Sequence, residues 1–441
     1  MPRNSHDFIA IGLGPFNLGL ACLADPIDTL DAHVIEASNR FEWHPHMLLD
    51  DTTLQNPYLA DLVSLADPCS RFSFLNYCKQ NGSLYAHYIR EKLYLDRAEY
   101  NRYCQWAASR LDTVSYGSTV TEIDYDAARA CYHVRGNQTS TGVTFSRTAP
   151  RLVIGIGSMP RWPSCCEPLR KHCTHSADYL RRKATLQHRR SIAVIGSGQS
   201  AAEVFADLLA DCDRYGYTLS WITRTPRLFP MESTRFTLEM ASPDYLDYLH
   251  TLDANERRRA VADHTTLYKG VNANLLNRIY DMLDRRRQSG APAVHIVGSS
   301  ELVDCDFDPV EQAFSLHFKQ RALGRSFVHR VDDAVFATGY TQRAPAFLDG
   351  VHDRIQWDED GQYRVARNYA IDIHGGEIFV QNGATHTHGL ASPDLGLGCY
   401  RNASILRSIT GVEHYAVEQR IALQHFGIPE GVASFSQGHD A

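Results

Sequence analysis

A strand that breaks into Gly-x-Gly and resumes as a helix occurs twice in this chain, and that duplication narrows the fold more than any other feature. The first copy runs Asp7-Phe8-Ile9-Ala10-Ile11 into Gly12-Leu13-Gly14-Pro15-Phe16-Asn17, then into a helical spacing through Leu18, Leu20, Ala21 and Leu23. Gly12 allows the tight turn, Gly14 lets the backbone approach a pyrophosphate, and the amides of the helix opening at Pro15 meet its charge. Asn17 holds the third position of the pattern, where a small residue is usual. The next strand pattern, Ala32-His33-Val34-Ile35, ends at Glu36, an acid placed for a ribose hydroxyl.

The second copy is Ser191-Ile192-Ala193-Val194-Ile195-Gly196-Ser197-Gly198-Gln199-Ser200-Ala201, followed by Ala202, Val204, Phe205, Leu208 and Leu209 at helical spacing. One such turn is a weak signal, because a structural turn reads the same way. Two copies in the right context predict an α/β chain with two Rossmann-like dinucleotide-binding domains. After the second copy, Leu219-Ser220-Trp221-Ile222-Thr223-Arg224 ends in a base where an NAD-binding unit carries an acid, and Arg227 follows. A guanidinium there holds a 2′-phosphate bidentately, which predicts NADPH over NADH; a solvated surface arginine is the alternative.

Two further strands end in glycine, at Gly155-Ile156-Gly157 and at Thr338-Gly339-Tyr340, and mark where the chain crosses between the units. The first domain is therefore discontinuous, residues 1–160 and 331–441, and the second spans 161–330. Within the second, 232–285 lacks strand patterns and spaces Leu246, Leu249, Leu252, Leu275, Leu276, Ile279 and Met282 helically, as a small helical substrate-binding insertion would. The polar tail after 429 reads as mobile.

With 44% hydrophobic and 22% charged residues, a formal charge of -7 and no polybasic run, the 441-residue chain has no electrostatic footprint for nucleic acid. No stretch approaches the roughly 18 apolar residues of a spanning helix, and the N-terminus lacks a signal-peptide pattern, so no membrane and a cytoplasmic location are expected. The eleven cysteines include no CxxC pair, and Cys165 and Cys166 are adjacent; they read as reduced thiols in packing or surface roles, with no metal.

Beyond the turns lie Phe41-Glu42-Trp43-His44-Pro45, Gln55 in Thr-Leu-Gln, Phe72-Ser73-Phe74-Leu75-Asn76-Tyr77, Ala337-Thr338-Gly339-Tyr340 and Thr387-His388-Gly389-Leu390. Together with Gly12-Leu13-Gly14-Pro15-Phe16-Asn17-Leu18 they make the chain resemble, from about residue 6 to about residue 410, the microbial flavin-dependent N-hydroxylating monooxygenases of hydroxamate siderophore synthesis. The resemblance implies FAD on the first unit and NADPH on the second. It puts Trp43, His44 and Gln55 near the flavin, Thr338, Gly339 and Tyr340 at the crossing, and 386–397, with His388 and Leu395, over the ring. His46 stands where relatives carry glycine. The implied order is reduction of FAD by NADPH, addition of oxygen at the flavin C4a, and attack of the substrate nitrogen on the distal oxygen while NADP stays bound. No side chain need be catalytic, since the cofactor carries the chemistry. An alkylammonium with a pKa near 10.4 leaves only about one free amine in a thousand at neutral pH, about 4 kcal/mol, so the reacting end calls for an apolar pocket.

Departures from the family point to the substrate. Amino-acid hydroxylases of the family read Phe-Leu-Lys-Asp-Leu after the flavin-side glutamine, and this chain reads Tyr58-Leu59-Ala60-Asp61-Leu62. Two asparagines that hold the amino-acid end in relatives map onto Leu238 and Leu267. A buried carboxylate without partners costs several kcal/mol, whereas a diamine brings none. The expected reaction is N-hydroxylation of cadaverine or putrescine, with a slight lean to cadaverine, by a C4a-hydroperoxyflavin, opening a hydroxamate siderophore pathway. Asp394 or Glu239 would take the distal ammonium, unless each is an ordinary loop or helix-face acid, and Asp61 reads as structural. The alternative is an L-lysine or L-ornithine monooxygenase that meets the carboxylate with Lys269 or Arg235. A flavin disulfide reductase needs a redox-active cysteine pair near the flavin, and none is spaced for it; sulfur and ketone monooxygenases carry Phe-x-Gly-x-x-x-His, of which only the histidine end survives in His172-Cys173-Thr174-His175-Ser176. An NADPH-dependent flavin reductase or a non-catalytic NADP-binding protein would not need Trp43-His44-Pro45 and Thr387-His388-Gly389. The family habit implies a homo-oligomer, a tetramer.

Overall fold

The computed structural model describes residues 4–264, 267, 269–429 and 431–432; the rest of the polar tail, and Thr265, Thr266 and Tyr268, lie outside the described residues. The chain has a mixed α/β fold built on two five-stranded parallel sheets, one per glycine turn.

In the first sheet the order is Ile378–Val380, Leu152–Ile154, Phe8–Ile11, Ala32–Ile35 and Val114–Ser115. Its central strand, Phe8–Ile11, is buried throughout, as a parallel strand covered on both faces must be. Helix Pro15–Ala24 lies on one face, itself roofed by Arg97–Ala108 and Gly398–Thr410, so that every residue in it except Phe16 is buried. An antiparallel meander, Ser118–Asp126, Cys131–Gln138 and Thr144–Ala149, closes the other face by packing Ile123, Tyr132 and Val134 with Ile9, Ile11 and Ile35.

The second sheet repeats the plan with Thr174–His175, Asp333–Phe336, Ser191–Ile195, Thr218–Ile222 and His295–Val297. Helix Gln199–Tyr215 covers one face, and the meander Ser300–Asp308, Ala313–Gln320, Arg325–Val331 covers the other through Phe314, Leu316 and Phe318.

Two boundaries read from sequence shift. Asp333–Phe336 pairs with Ser191–Ile195, so the second unit runs past 330, and the chain returns only at Tyr340–Thr341, which pairs antiparallel with the outgoing Met159–Pro160. The reason is burial: Ala334, Val335 and Phe336 are wholly enclosed in the second sheet, and the backbone reverses at Gly339, where φ is +84°. The helical insertion is also shorter than 232–285. Its helices Pro243–Thr251 and Ala254–Asp263, capped by the side chains of Ser242 and Asp253, reach the first unit: Leu246 packs on Ala391 and Leu397, and Leu249 and Val261 face Gly389. Helix Ala273–Gln288 instead packs Leu275, Leu276, Ile279 and Met282 into the second unit's own core. Among the described residues, no helix is long and apolar enough to cross a membrane.

Candidate active site

The two glycine turns are built alike. At Gly12, φ is +86° and a Cβ would lie 2.6 Å from the Gly155 carbonyl oxygen; at Gly196, φ is +146° and a Cβ would lie 2.2 Å from the Ala337 carbonyl oxygen. Only glycine fits either place. Gly14 and Gly198 head their helices in extended backbone, no side chain caps the first-turn amides, and a Cβ on Gly14 would meet nothing within 4 Å. Such a cradle fits a pyrophosphate. Glu36 folds back over the first turn, its two carboxylate oxygens accepting from Leu13 N (2.6 Å) and Ser38 N (2.7 Å). Asn17 is turned inward: its Nδ2 donates to Gly12 O at 2.8 Å and to Ile11 O at 3.3 Å, bracing the loop from behind rather than facing the cradle. At the second turn Ser200 sits half-buried in the first helical turn, and Arg224 and Arg227 stand exposed beyond strand Thr218–Ile222, Arg227 over the Phe229 ring.

The remaining family strings meet in the cleft between the units. His44 adopts left-handed backbone at the head of the turn Pro45–Met47, which contains His46; its ring lies 5.1 Å from Trp43 and 6.0 Å from Tyr340. Asn101 fixes Trp43 through its backbone N–H, and Thr338 donates to Arg161 O at 2.5 Å. A polar chain absent from the sequence reading spans the cleft. Gln55 Oε1 accepts from Asn272 Nδ2 at 3.3 Å, Gln199 Oε1 accepts from Asn272 N at 2.8 Å, and Gln199 Nε2 donates to Glu203, whose other oxygen pairs with Arg97 of the first unit at 2.7 Å. Nothing in the spacing of Arg97 and Glu203 announces that pair.

The 386–397 segment differs from expectation at His388. That side chain is fully buried, bonded through Nδ1 to Thr387 Oγ1 and packed on His250 and Tyr369, so it supports the segment from beneath. Burial first, then His250, Arg367 and Arg401, hold its imidazole well below the usual histidine value, hence neutral. Leu395 lies half-buried against the first unit's core.

Of the proposed substrate residues, two come together. A Cβ on Gly396 would lie 2.9 Å from Asp394 Oδ1 and 4.0 Å from the Cβ of Ala60, so the acid and the alanine both flank Gly396. Asp394 Oδ1 accepts from Asn56 Nδ2 (3.0 Å) and Gly396 N (2.6 Å); burial raises its carboxyl, and these bonds and Arg401 oppose the rise. Arg401 is itself wholly buried, donating to Ser392 O and stacked 4.1 Å from Phe16. Glu239 is withdrawn from the acceptor role: its carboxylate is engaged by Leu423 N, Gln424 N and Gln424 Nε2, fastening the C-terminal segment to helix Arg235–Leu238. Leu238 on that helix is half exposed, while Leu267 is buried. Asp61 is structural, accepting from Val63 N, Ser64 N, Ser64 Oγ and Phe74 N.

A family model described as L-lysine 6-monooxygenase/L-ornithine 5-monooxygenase matches residues 4–342. An alcaligin biosynthesis enzyme of Bordetella pertussis is 49% identical over 97% of this chain and 93% of its own length, and a putrescine N-hydroxylase of Shewanella oneidensis is 43% identical over 96% and 84%. The FAD-bound crystal structure of the cadaverine monooxygenase of the desferrioxamine pathway in Erwinia amylovora superposes with a TM-score of 0.94, at 48% identity, covering 97% of this chain and 99% of that one. An ornithine N-hydroxylase of Kutzneria with reduced FAD, NADP+ and L-ornithine reaches 0.85 at 26% identity, covering 92% and 99%.

Proposed function

The chain belongs to the L-lysine 6-monooxygenase/L-ornithine 5-monooxygenase family, and from that membership we propose that it hydroxylates one nitrogen of an aliphatic diamine, cadaverine or putrescine, as an early step of hydroxamate siderophore synthesis. It is an FAD- and NADPH-dependent N-monooxygenase. Bound FAD, reduced by NADPH, supplies the activation of dioxygen.

The protein's residues bind, orient and exclude water. Gly12 and Gly14 bring backbone to the FAD pyrophosphate and Glu36 takes its ribose; Gly196, Gly198, Gln199 and Ser200 do the corresponding work for NADPH, with Arg224 and Arg227 on the 2′-phosphate. Trp43, His44, Gln55 and Thr338–Tyr340 line the cleft in which nicotinamide and flavin meet. One wall carries the substrate choice. Asp394, held by Asn56, receives the distal ammonium, and Ala60 puts a methyl group where a lysine would bring a repelling charge. An amino acid placed there would set its carboxylate against Asp394, costing several kcal/mol.

The observation that carries this reading is that Ala60 and Asp394 both flank Gly396. The test is to offer putrescine, cadaverine, ornithine and lysine in parallel and quantify hydroxylamine product. Either diamine should exceed both amino acids by orders of magnitude in kcat/KM; preference for an amino acid ends the proposal while leaving the cofactors in place. Depth of the pocket, not its charge, decides between four and five methylenes, since one methylene is worth only about 1–3 kcal/mol. The same reading places the enzyme in the cytoplasm, where NADPH and reduced thiols are found. It also makes it a homo-oligomer, as a tetramer, with a bare apolar face on helix Leu84–Arg90, where Tyr85, Tyr88 and Ile89 are all exposed, as the contact; sizing in solution tests it.

A further inference from the structure

All eleven cysteines are free thiols, and four of them, from separate stretches of chain, converge in the second unit. Cys166, buried in the turn Ser164–Leu169, has its sulfur 3.8 Å from that of Cys165 and packs in one cluster with Cys305 and with the half-buried Cys173. Cys305, on strand Ser300–Asp308, is sealed in the core; Cys165 and Cys173 are half-buried. The flavin reaction uses none of these sulfurs. Among the described residues no group of histidines, cysteines and acids is arranged to hold a metal.

We propose that Cys166 and Cys173 form a peroxide-sensitive disulfide site. An oxidant meets the less buried thiol first, so Cys173, half-buried, takes the oxidant and the buried Cys166 is the resolving partner. Cys165 also lies beside Cys166, but a bond between adjacent residues would strain the peptide joining them. Hydrogen peroxide converts the Cys173 thiol to a sulfenic acid and leaves as one water. The Cys166 sulfur then displaces hydroxide from that sulfenic acid, its own proton going to the departing hydroxide as the second water. Two thiols lose two electrons and one peroxide gains them. The natural source would be dioxygen reduced without oxygenating the amine, a premise that rests on the proposed function; the crosslinking chemistry itself does not.

The site is wired to the cleft. Cys173 immediately precedes the edge strand Thr174–His175, and the His175 ring lies 5.3 Å from Trp162 and 5.6 Å from Tyr340, which in turn lies 6.0 Å from His44. Drawing Cys173 onto Cys166 therefore pulls on the aromatic contacts at the crossing between the two units. A slower hydride transfer is the expected result.

The experiment treats reduced, FAD-loaded full-length enzyme with hydrogen peroxide, alkylates it, and digests it with trypsin without reductant. Peptides 162–170 and 172–181 should be joined in the wild type, in Cys165→Ser and in Cys305→Ser, and separate in Cys166→Ser and Cys173→Ser. Oxidised wild type should show a severalfold slower reduction of its flavin by NADPH, restored by dithiothreitol, while Cys173→Ser keeps its full rate. A missing joined peptide at peroxide levels that already oxidise the exposed Cys69 overturns the proposal, as does a joined peptide with no change in rate, or a chelator-removable zinc that guards the four thiols. An enzyme that hydroxylated no amine would still give the crosslink with added peroxide, so the two ideas fail separately.

Discussion

The two nucleotide units share one backbone plan and differ where it matters. In both, the strand leading to the glycine turn is in the same register with its neighbour, Ile11 with Ile35 and Ile195 with Ile222, and the first turn glycine donates to the carbonyl of that neighbour, Gly12 to Ile35 and Gly196 to Ile222. The next residue then departs: Glu36 turns back onto the turn's own amide, whereas Thr223 is buried and Arg224 stands exposed. The helices differ as well. Each packs against two other helices, but Pro15–Ala24 is buried at every residue except Phe16, while Gln199–Tyr215 leaves Asp213 and Arg214 exposed. The same backbone turn thus opens an almost wholly buried helix in the first unit and a helix with one solvent face in the second.

The largest test of that contrast is at the turns themselves. Gly12→Ala introduces a left-handed backbone penalty and a 2.6 Å clash with Gly155 O, and is expected to yield protein purified without flavin; Gly196→Ala, with its 2.2 Å clash, should retain FAD yet show no saturable NADPH reduction. Equal flavin loss in both would break the comparison. Next comes the substrate wall, which the first unit alone supplies. Asp394→Asn should raise the KM for the diamine by roughly 10–100-fold, the loss of a charge-assisted bond, and leave NADPH-driven flavin reduction near wild type. An unmoved KM removes Asp394 from the site.

Arg224 offers the complementary experiment on the second unit. Arg224→Ala should lower the preference for NADPH over NADH about tenfold while diamine KM and flavin content stay unchanged, as measured by initial rates with both nucleotides. A smaller effect is expected at the seam. Burial, then Arg257 and Arg367, lower His250 to about 4, and its neighbour His388 is also held down, so both must gain protons on unfolding below the ordinary 6.5. Their contribution to stability is complete above 6.5 and is lost as the pH falls from there toward 4; thermal melts across that window should flatten in His250→Gln. The smallest change concerns Glu239, whose carboxylate only fastens residues 423 and 424: Glu239→Gln should leave diamine KM within about twofold and lower the melting temperature slightly.

Much of this molecule was legible from residues in order. Both glycine turns, the strands before them, the acid and the base after them, and the loss of a lysine at Ala60 all lie within short windows of sequence. The end of the second unit was misplaced because Asp333–Phe336 reads only as a buried strand, and a buried strand does not say which sheet it joins. Glu239 and Asp394 were indistinguishable as two acids in pocket-bordering segments; the partners that occupy one and orient the other, at Leu423 and Asn56, lie far away in the chain. His388 looked like a cofactor neighbour and proved to be a support, for the same reason.

What the sequence determined by itself is therefore the local chemistry: where the chain must turn left-handed, where an uncapped helix opens after a glycine turn, and that position 60 carries no charge. Those properties follow from a residue and its near neighbours. The tertiary structure alone decided that Arg97 reaches Glu203, that Arg401 is enclosed behind Phe16, and that Cys305 joins Cys166 and Cys173 in one core cluster. Each depends on how separately folded layers pack, and packing energy is shared among so many side chains that no short pattern in the chain carries its imprint.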